Sequence, residues 1–139
     1  MKIYILLFLL LSNLMAITVK DAAFSLNAQT NIYKALKKAN HEDKKLVLLL
    51  IIKEGCSWCE IMIEETMHDK QIKDALHDAV VVVADMNSTL AKNLKTEHTP
   101  SMYFIDTKSR KIIYEEVGYV KSGSFLISII STMELIDEK

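Results

Sequence analysis

Cys56 and Cys59 are the only cysteines in a chain of 139 residues. They stand in the run Lys53-Glu54-Gly55-Cys56-Ser57-Trp58-Cys59, directly behind the apolar stretch Leu46 to Ile52. Where a buried strand gives way to a helix, the first helical turn presents unpaired backbone N–H groups and the positive end of the helix macrodipole. A thiol placed there ionises more readily than a free one, and the thiolate is the reactive form. The spacing therefore describes a redox centre. Two rival uses of such a pair fail on their neighbours. Covalent haem attachment needs a histidine directly after the second cysteine, and residue 60 is Glu. A structural zinc site needs four ligands, whereas this sequence offers one cysteine pair and no histidine at finger-like spacing.

The elements that must hold the pair follow from periodicity. Leu46 to Ile52 is apolar on both faces, too short for a free-standing helix and bounded by charges, which predicts a central strand covered on both sides. Ser57 to Met67 has helical spacing, and Asp69 opens a second helical piece through His77 with Ile72, Ala75, Leu76 and Ala79 facing inward. Val80 to Ala84 is another run predicted to be buried on both faces. Two such strands joined by helix make a βαβ unit, hence a parallel pair with a right-handed crossover. Upstream, Ala28, Ile32, Ala35, Leu36 and Ala39 predict an amphipathic helix over Asn27 to Lys38, capped by Asn27 or Ser25, followed by a polar loop from His41 to Lys45. Downstream, Ser88 to Lys95 reads as a short helix capped by Asn87 or Ser88. Thr99-Pro100, with the sole proline, precedes the strand Ser101 to Ile105, where a missing N–H is tolerated. The charged segment Asp106 to Lys111 leads into Ile112 to Val117, an antiparallel hairpin ended by Gly118. Phe125, Leu126, Ile129, Ile130 and Met133 line one side of a closing helix that Ser122 caps.

Length and composition suit one globular domain, since half of the residues are hydrophobic. A formal net charge of -1, with acids and bases interspersed, disfavours nucleic acid and anionic membrane surfaces as partners. The N-terminus reads as an export signal. Met1-Lys2 is a short positive region, Ile3 to Leu11 an apolar core, and Ser12 to Ala16 a polar-to-small segment with a cleavage point after Ala16. The expected domains are therefore a signal peptide over 1–16 and a folded domain over 17–139. The apolar core is short of the roughly 20 residues that span a bilayer, so cleavage is favoured over an uncleaved anchor in the inner membrane. No cysteine follows it closely, which disfavours a lipoprotein.

The order α-β-α-β-α-β-β-α, with Cys-x-x-Cys after the first strand and Thr99-Pro100 before the third, resembles the thioredoxin superfamily over essentially the whole of the expected mature chain. Within it the chain is similar to periplasmic thioredoxin-like proteins related to the C-terminal domain of DsbD. Cys56-Ser57-Trp58-Cys59 followed by Glu65-Thr66-Met67, Asp69, Ile72, Ala75-Leu76 and Val80 to Asp85 carries that likeness. The resemblance implies an α/β thioredoxin fold, a central mixed four-stranded sheet flanked by helices, and a thiol:disulfide oxidoreductase without cofactor or metal. Cys56 is then the exposed nucleophile, and Cys59 the inner thiol that resolves the mixed disulfide. Thr99 and Pro100 become the substrate-docking edge, through a cis peptide bond that frees the Thr99 backbone to pair with an extended segment. The alternative is a trans proline that merely starts a strand. Trp58 either walls the docking site or simply covers the active-site helix.

The departures from the family pattern bear on proton transfer. Many thioredoxins carry a buried acid six residues before the first cysteine, and here that place is Leu50. The lysine that often accompanies it is also absent from Val80 to Val83. Glu54 is the nearest carboxylate in sequence and His98 stands two residues before the proline, so these two are the candidates for tuning the cysteine pKa values. Each is otherwise an exposed loop residue. Met62, Met67 and Met86 read as core filler, and His41, His68 and His77 as surface residues. Ser57-Trp58 lacks the histidine beside the second cysteine that typifies strong oxidants of the superfamily, which favours a reductase of periplasmic protein disulfides. A monomer is expected because the dimerisation domain usual in periplasmic isomerases of this type does not precede the fold, and a membrane-embedded electron donor because the periplasm holds no soluble reductant pool. A thiol oxidase of the same fold and a non-catalytic binding protein on that scaffold are the alternatives.

Overall fold

The computed structural model describes residues 16–139. The signal-peptide reading of residues 1–16 thus lies, apart from Ala16, outside the described residues. The central strand β1 (Leu46–Ile52) is buried along its whole length, and its side chains alternate between two cores. Leu46, Leu48, Leu50 and Ile52 enter one cluster with Cys59, Met62, Ile63, Ile72, Phe125 and Ile129. Val47, Leu49 and Ile51 enter the other with Ala35, Ala39, Ala91 and Tyr103. A strand with apolar residues on both faces needs cover on both, and this alternation supplies it. β2 (Ala79–Asp85) pairs with β1 in parallel, while β3 (Ser101–Asp106) and β4 (Ile112–Val117) continue the sheet antiparallel in the order β2-β1-β3-β4. The mixed four-stranded sheet flanked by helices is the predicted fold.

The N-terminal part differs from expectation. A helix α1 (Val19–Ser25), not anticipated, is held by a full capping box between Thr18 and Asp21. Asn27 then adopts φ of 51°, and the chain runs extended long enough for Gln29 to bridge the outer edge of β2, donating to the Val81 carbonyl at 2.8 Å and accepting from Val83 N–H at 2.9 Å. An open edge strand is thereby covered. The helix expected over Asn27 to Lys38 starts only after this bridge: α2 spans Ile32–His41, and its cap is Asn31, accepting from Lys34 N–H, rather than Ser25 or Asn27.

The segment after the cysteines starts as α3 (Ser57–Ile61) and passes into a π-helical stretch over Met62–Met67. Asp69 caps α4 (Lys70–Ala75) as its position suggested, accepting from Gln71 and Ile72 N–H. Ser88 caps α5 (Thr89–Asn93). The closing helix α6 (Ser122–Asp137) has Lys121 at its cap position with no side-chain bond, so Ser122 is not its cap. Phe125 and Ile129 are buried as expected, but Thr132 takes the next inward place and Ile130 is 47% exposed. Helical geometry puts Ile130 about 100° from Ile129, away from the sheet. His68, expected at the surface, is half-buried: its Nδ1 lies 2.7 Å from the Ile63 carbonyl oxygen and its Nε2 3.4 Å from Ser25 Oγ.

Candidate active site

The site lies where β1 ends. Lys53, Glu54 and Gly55 form the turn, Cys56 N–H donating back to the Lys53 carbonyl at 3.2 Å. Gly55 has φ of 77°, a conformation that a side chain would disfavour. The turn delivers Cys56 to the N-cap of α3, with extended backbone, and Cys59 one turn inside. The two form a disulfide with Cα atoms 5.2 Å apart. Cys59 is fully buried in the core and Cys56 is half-buried.

Two donors face the outer sulfur. Cys59 N–H lies 3.2 Å and Thr99 Oγ1 3.3 Å from Cys56 Sγ. The Thr99 carbonyl oxygen is 3.7 Å from the same sulfur, but a disulfide sulfur has no proton to give, so this is a contact and the two donors define the sulfur's polar environment. On reduction, the same donors favour a thiolate at Cys56, reinforced by the helix N-terminus.

Pro100 is buried, and the Thr99–Pro100 peptide bond is cis. The Pro100 carbonyl accepts from Gly118 N–H at 2.7 Å, which ties the start of β3 to the end of β4. Gly118 takes φ of 88° there. Trp58 is 59% exposed and stacks on Tyr119, ring centroids 5.5 Å apart at an interplanar angle of 23°. Trp58, Thr99, Gly118 and Tyr119 line a groove of about 300 Å³ beside Cys56. Grooves of about 360 and 470 Å³ lie elsewhere, so size alone does not mark the site.

Tyr119 was not singled out from the sequence. Its phenol donates to Glu65 Oε2 at 3.1 Å, and burial followed by the Glu65 carboxylate holds its pKa above the ordinary tyrosine value. Beside it, the fully buried Thr66 donates from Oγ1 to the Val120 carbonyl at 2.6 Å. The loop carrying Tyr119 is thus pinned to the helix that carries the cysteines. No spacing rule pointed to Tyr119, because its partners lie 54 and 61 positions away in the chain.

Neither proposed tuning residue reaches the sulfurs. Glu54 and His98 are both exposed, and among the described residues neither side chain hydrogen-bonds a cysteine; His98 contributes only its carbonyl, which accepts from Ser101 Oγ at 2.7 Å. Leu50 is fully buried, paired in register with Val83 and Met102, so the wall behind Cys59 is apolar. The buried acid among the described residues is Asp106, which pairs with Leu46 at the far end of β1. No group of three His, Cys, Asp or Glu side chains among the described residues is placed to hold a metal ion, and no helix among them is long and apolar enough to cross a membrane.

Comparison with known proteins agrees with this geometry. Residues 32–130 match the model of the thioredoxin-like domain. A thioredoxin from Thermus thermophilus superposes with a TM-score of 0.67 at 18% identity, over 76% of this chain and 86% of its own. The oxidised C-terminal domain of DsbD from Neisseria meningitidis gives a TM-score of 0.60 at 20% identity, over 76% and 99%. An oxidoreductase named DsbH gives 0.57 at 18%, over 78% and 85%. No curated protein sequence matches the chain.

Proposed function

The chain belongs to the thioredoxin-like family, and from that premise we propose that it is an exported thiol:disulfide oxidoreductase working as a reductase of protein disulfides. The observation that carries the reading is the asymmetry of the pair: Cys56 is half-buried at a helix N-cap with two donors on its sulfur, while Cys59 is fully buried. A nucleophile must meet substrate, and a resolving thiol need meet only the nucleophile.

In the reductive direction, Cys56 thiolate attacks one sulfur of a substrate disulfide. That S–S bond breaks, a mixed disulfide forms, and the departing substrate sulfur leaves as thiolate and takes up a proton. Cys59, after losing its proton, attacks Cys56 Sγ, regenerating the Cys56–Cys59 disulfide and releasing the second substrate thiol. Two electrons pass to the substrate. Trp58, Thr99 and Pro100 serve docking, the Thr99 backbone offering an edge beside the sulfur to an extended segment. With an apolar wall behind Cys59 and Glu54 and His98 pointing to solvent, water entering with the opened site takes the Cys59 proton.

Export places this chemistry in the periplasm, with the signal over residues 1–16 removed and the mature domain beginning at residue 17. Reducing equivalents there come from a membrane-embedded thiol conductor, since that compartment is kept oxidising. The mature protein acts as a monomer. The test is insulin reduction with dithiothreitol as electron source. Acceleration that disappears in Cys56→Ser supports the proposal, and an inert wild-type protein overturns it in favour of a binding role. The donors on Cys56 Sγ also favour a second reading, a thiol oxidase, because they stabilise the reduced form; the reduction potential separates the two.

A further inference from the structure

We propose that the Glu60 carboxylate is the docking partner of the α-ammonium that cleavage after Ala16 creates at Ile17, so that maturation fastens a new positive charge to the helix carrying both cysteines. The inference rests on the export reading. Ile17 N–H already donates to Glu60 Oε1 at 3.3 Å, across 43 positions of sequence. Hydrolysis of the Ala16–Ile17 peptide bond consumes one water, leaves a carboxylate on Ala16 and leaves an ammonium on Ile17. The nitrogen need not move.

Both partners are held in place. The Ile17 side chain packs against the larger core cluster, and Thr18, next in the chain, is locked by its capping box with Asp21. Glu60 is half-buried directly after Cys59, and its backbone N–H donates to the Cys56 carbonyl at 3.2 Å. The charged residues next to the two partners in the chain are engaged or face water. Asp21 is engaged by Thr18 N–H at 3.2 Å and Thr18 Oγ1 at 2.7 Å, Lys20 is exposed beside it, and Glu64, one turn beyond Glu60, is exposed. In the unprocessed chain the donor is a neutral amide. In the processed chain it is a cation, and a charge-assisted pair is the stronger one.

Two consequences follow. Glu60 favours the charged form of the Ile17 amine, raising its pKa above the ordinary range of about 7.7–8.0. The ammonium offsets the negative charge next to Cys59, which favours the Cys56 thiolate. Glu60 is thus a positioning residue for the mature N-terminus.

The experiment has two parts. The N-terminus of the exported protein is determined by mass spectrometry, and protein beginning at Ile17 is titrated by NMR at the α-amine and by ultraviolet absorbance at the Cys56 thiolate, free and N-acetylated. Expected are a start at Ile17, an α-amine pKa above that of Glu60→Gln with Glu60→Asp in between, and a rise in the Cys56 pKa on acetylation that Glu60→Gln abolishes. An exported protein cut elsewhere, or equal α-amine pKa values in wild type and Glu60→Gln, overturns the inference and leaves export standing. A protein retained in the cytoplasm with its leader intact sinks both.

Discussion

Thr99→Val isolates the hydroxyl that faces the attacking sulfur. The substitution keeps the β-branch and nearly the volume while deleting the donor that lies 3.3 Å from Cys56 Sγ. A hydrogen bond to a charged acceptor contributes about 1.5–3 kcal/mol, and about 1.36 kcal/mol moves a pKa by one unit. Cys56 is half-buried and keeps its second donor, Cys59 N–H at 3.2 Å, so the lower end applies. The Cys56 pKa should rise by about one unit. Because the hydroxyl stabilises the thiolate, and so the reduced pair above the Cys56 pKa, its loss makes the pair easier to oxidise. The potential should fall by about 30 mV, given that about 30 mV corresponds to 1.4 kcal/mol for this two-electron couple. Thiolate absorbance of the reduced protein as a function of pH gives the first number, and equilibration with glutathione the second. Thr99→Ser, which keeps the hydroxyl, should resemble wild type. A Cys56 pKa unchanged in Thr99→Val would refute the assignment of Thr99 Oγ1 as a thiolate donor.

Other perturbations probe the groove and the frame around it. Tyr119→Ala removes the stack on Trp58 and the bond to Glu65; with an aromatic pair contributing about 0.5–1.5 kcal/mol, KM for a protein disulfide should rise several-fold with kcat nearly unchanged in steady-state insulin reduction. Burial raises the Asp106 pKa, but the Ser109 hydroxyl and the N–H groups of Lys108 and Ser109 outweigh it and leave the carboxyl below its ordinary value. Its contribution is present above the unfolded pKa and is lost as pH falls through the lower folded value. Asp106→Ala should cost about 1–3 kcal/mol in urea unfolding at pH 7, with the difference shrinking below about pH 4. Glu116 has the opposite sign: burial raises its pKa against the opposing Ser128 hydroxyl, and among the described residues Oε2 has no hydrogen-bond partner. Its charge is therefore a cost at neutral pH, relieved as pH falls through the raised folded pKa. Glu116→Gln should raise Tm at pH 7 and leave it unchanged near pH 4 in thermal melts.

The parts of this fold that were legible in the sequence are those in which local pattern and tertiary role coincide. Leu46 to Ile52 reads as a buried strand because every one of its residues is inside, and Asp69 and Ser88 read as caps because capping is local chemistry. Asn27 to Lys38 misled because helical spacing continues through Ala28, while the chain gains more from closing the β2 edge with Gln29. The capping box at Thr18 and Asp21 was there to be read and would have located α1. The π-helical stretch at Met62–Met67 carries no simple sequence signal. At the site, the cysteines announced themselves through spacing. Tyr119, the Thr99 hydroxyl and Glu60 did not, since each acts on a partner more than 40 positions away.

The most direct measurement of the central proposal is the equilibrium reduction potential of the Cys56–Cys59 pair. A protein-disulfide reductase should give a value near that of thioredoxin, about -270 mV. A value near about -120 mV, that of the strong periplasmic oxidant of this fold, would contradict the reductive direction and assign the same two cysteines to disulfide formation.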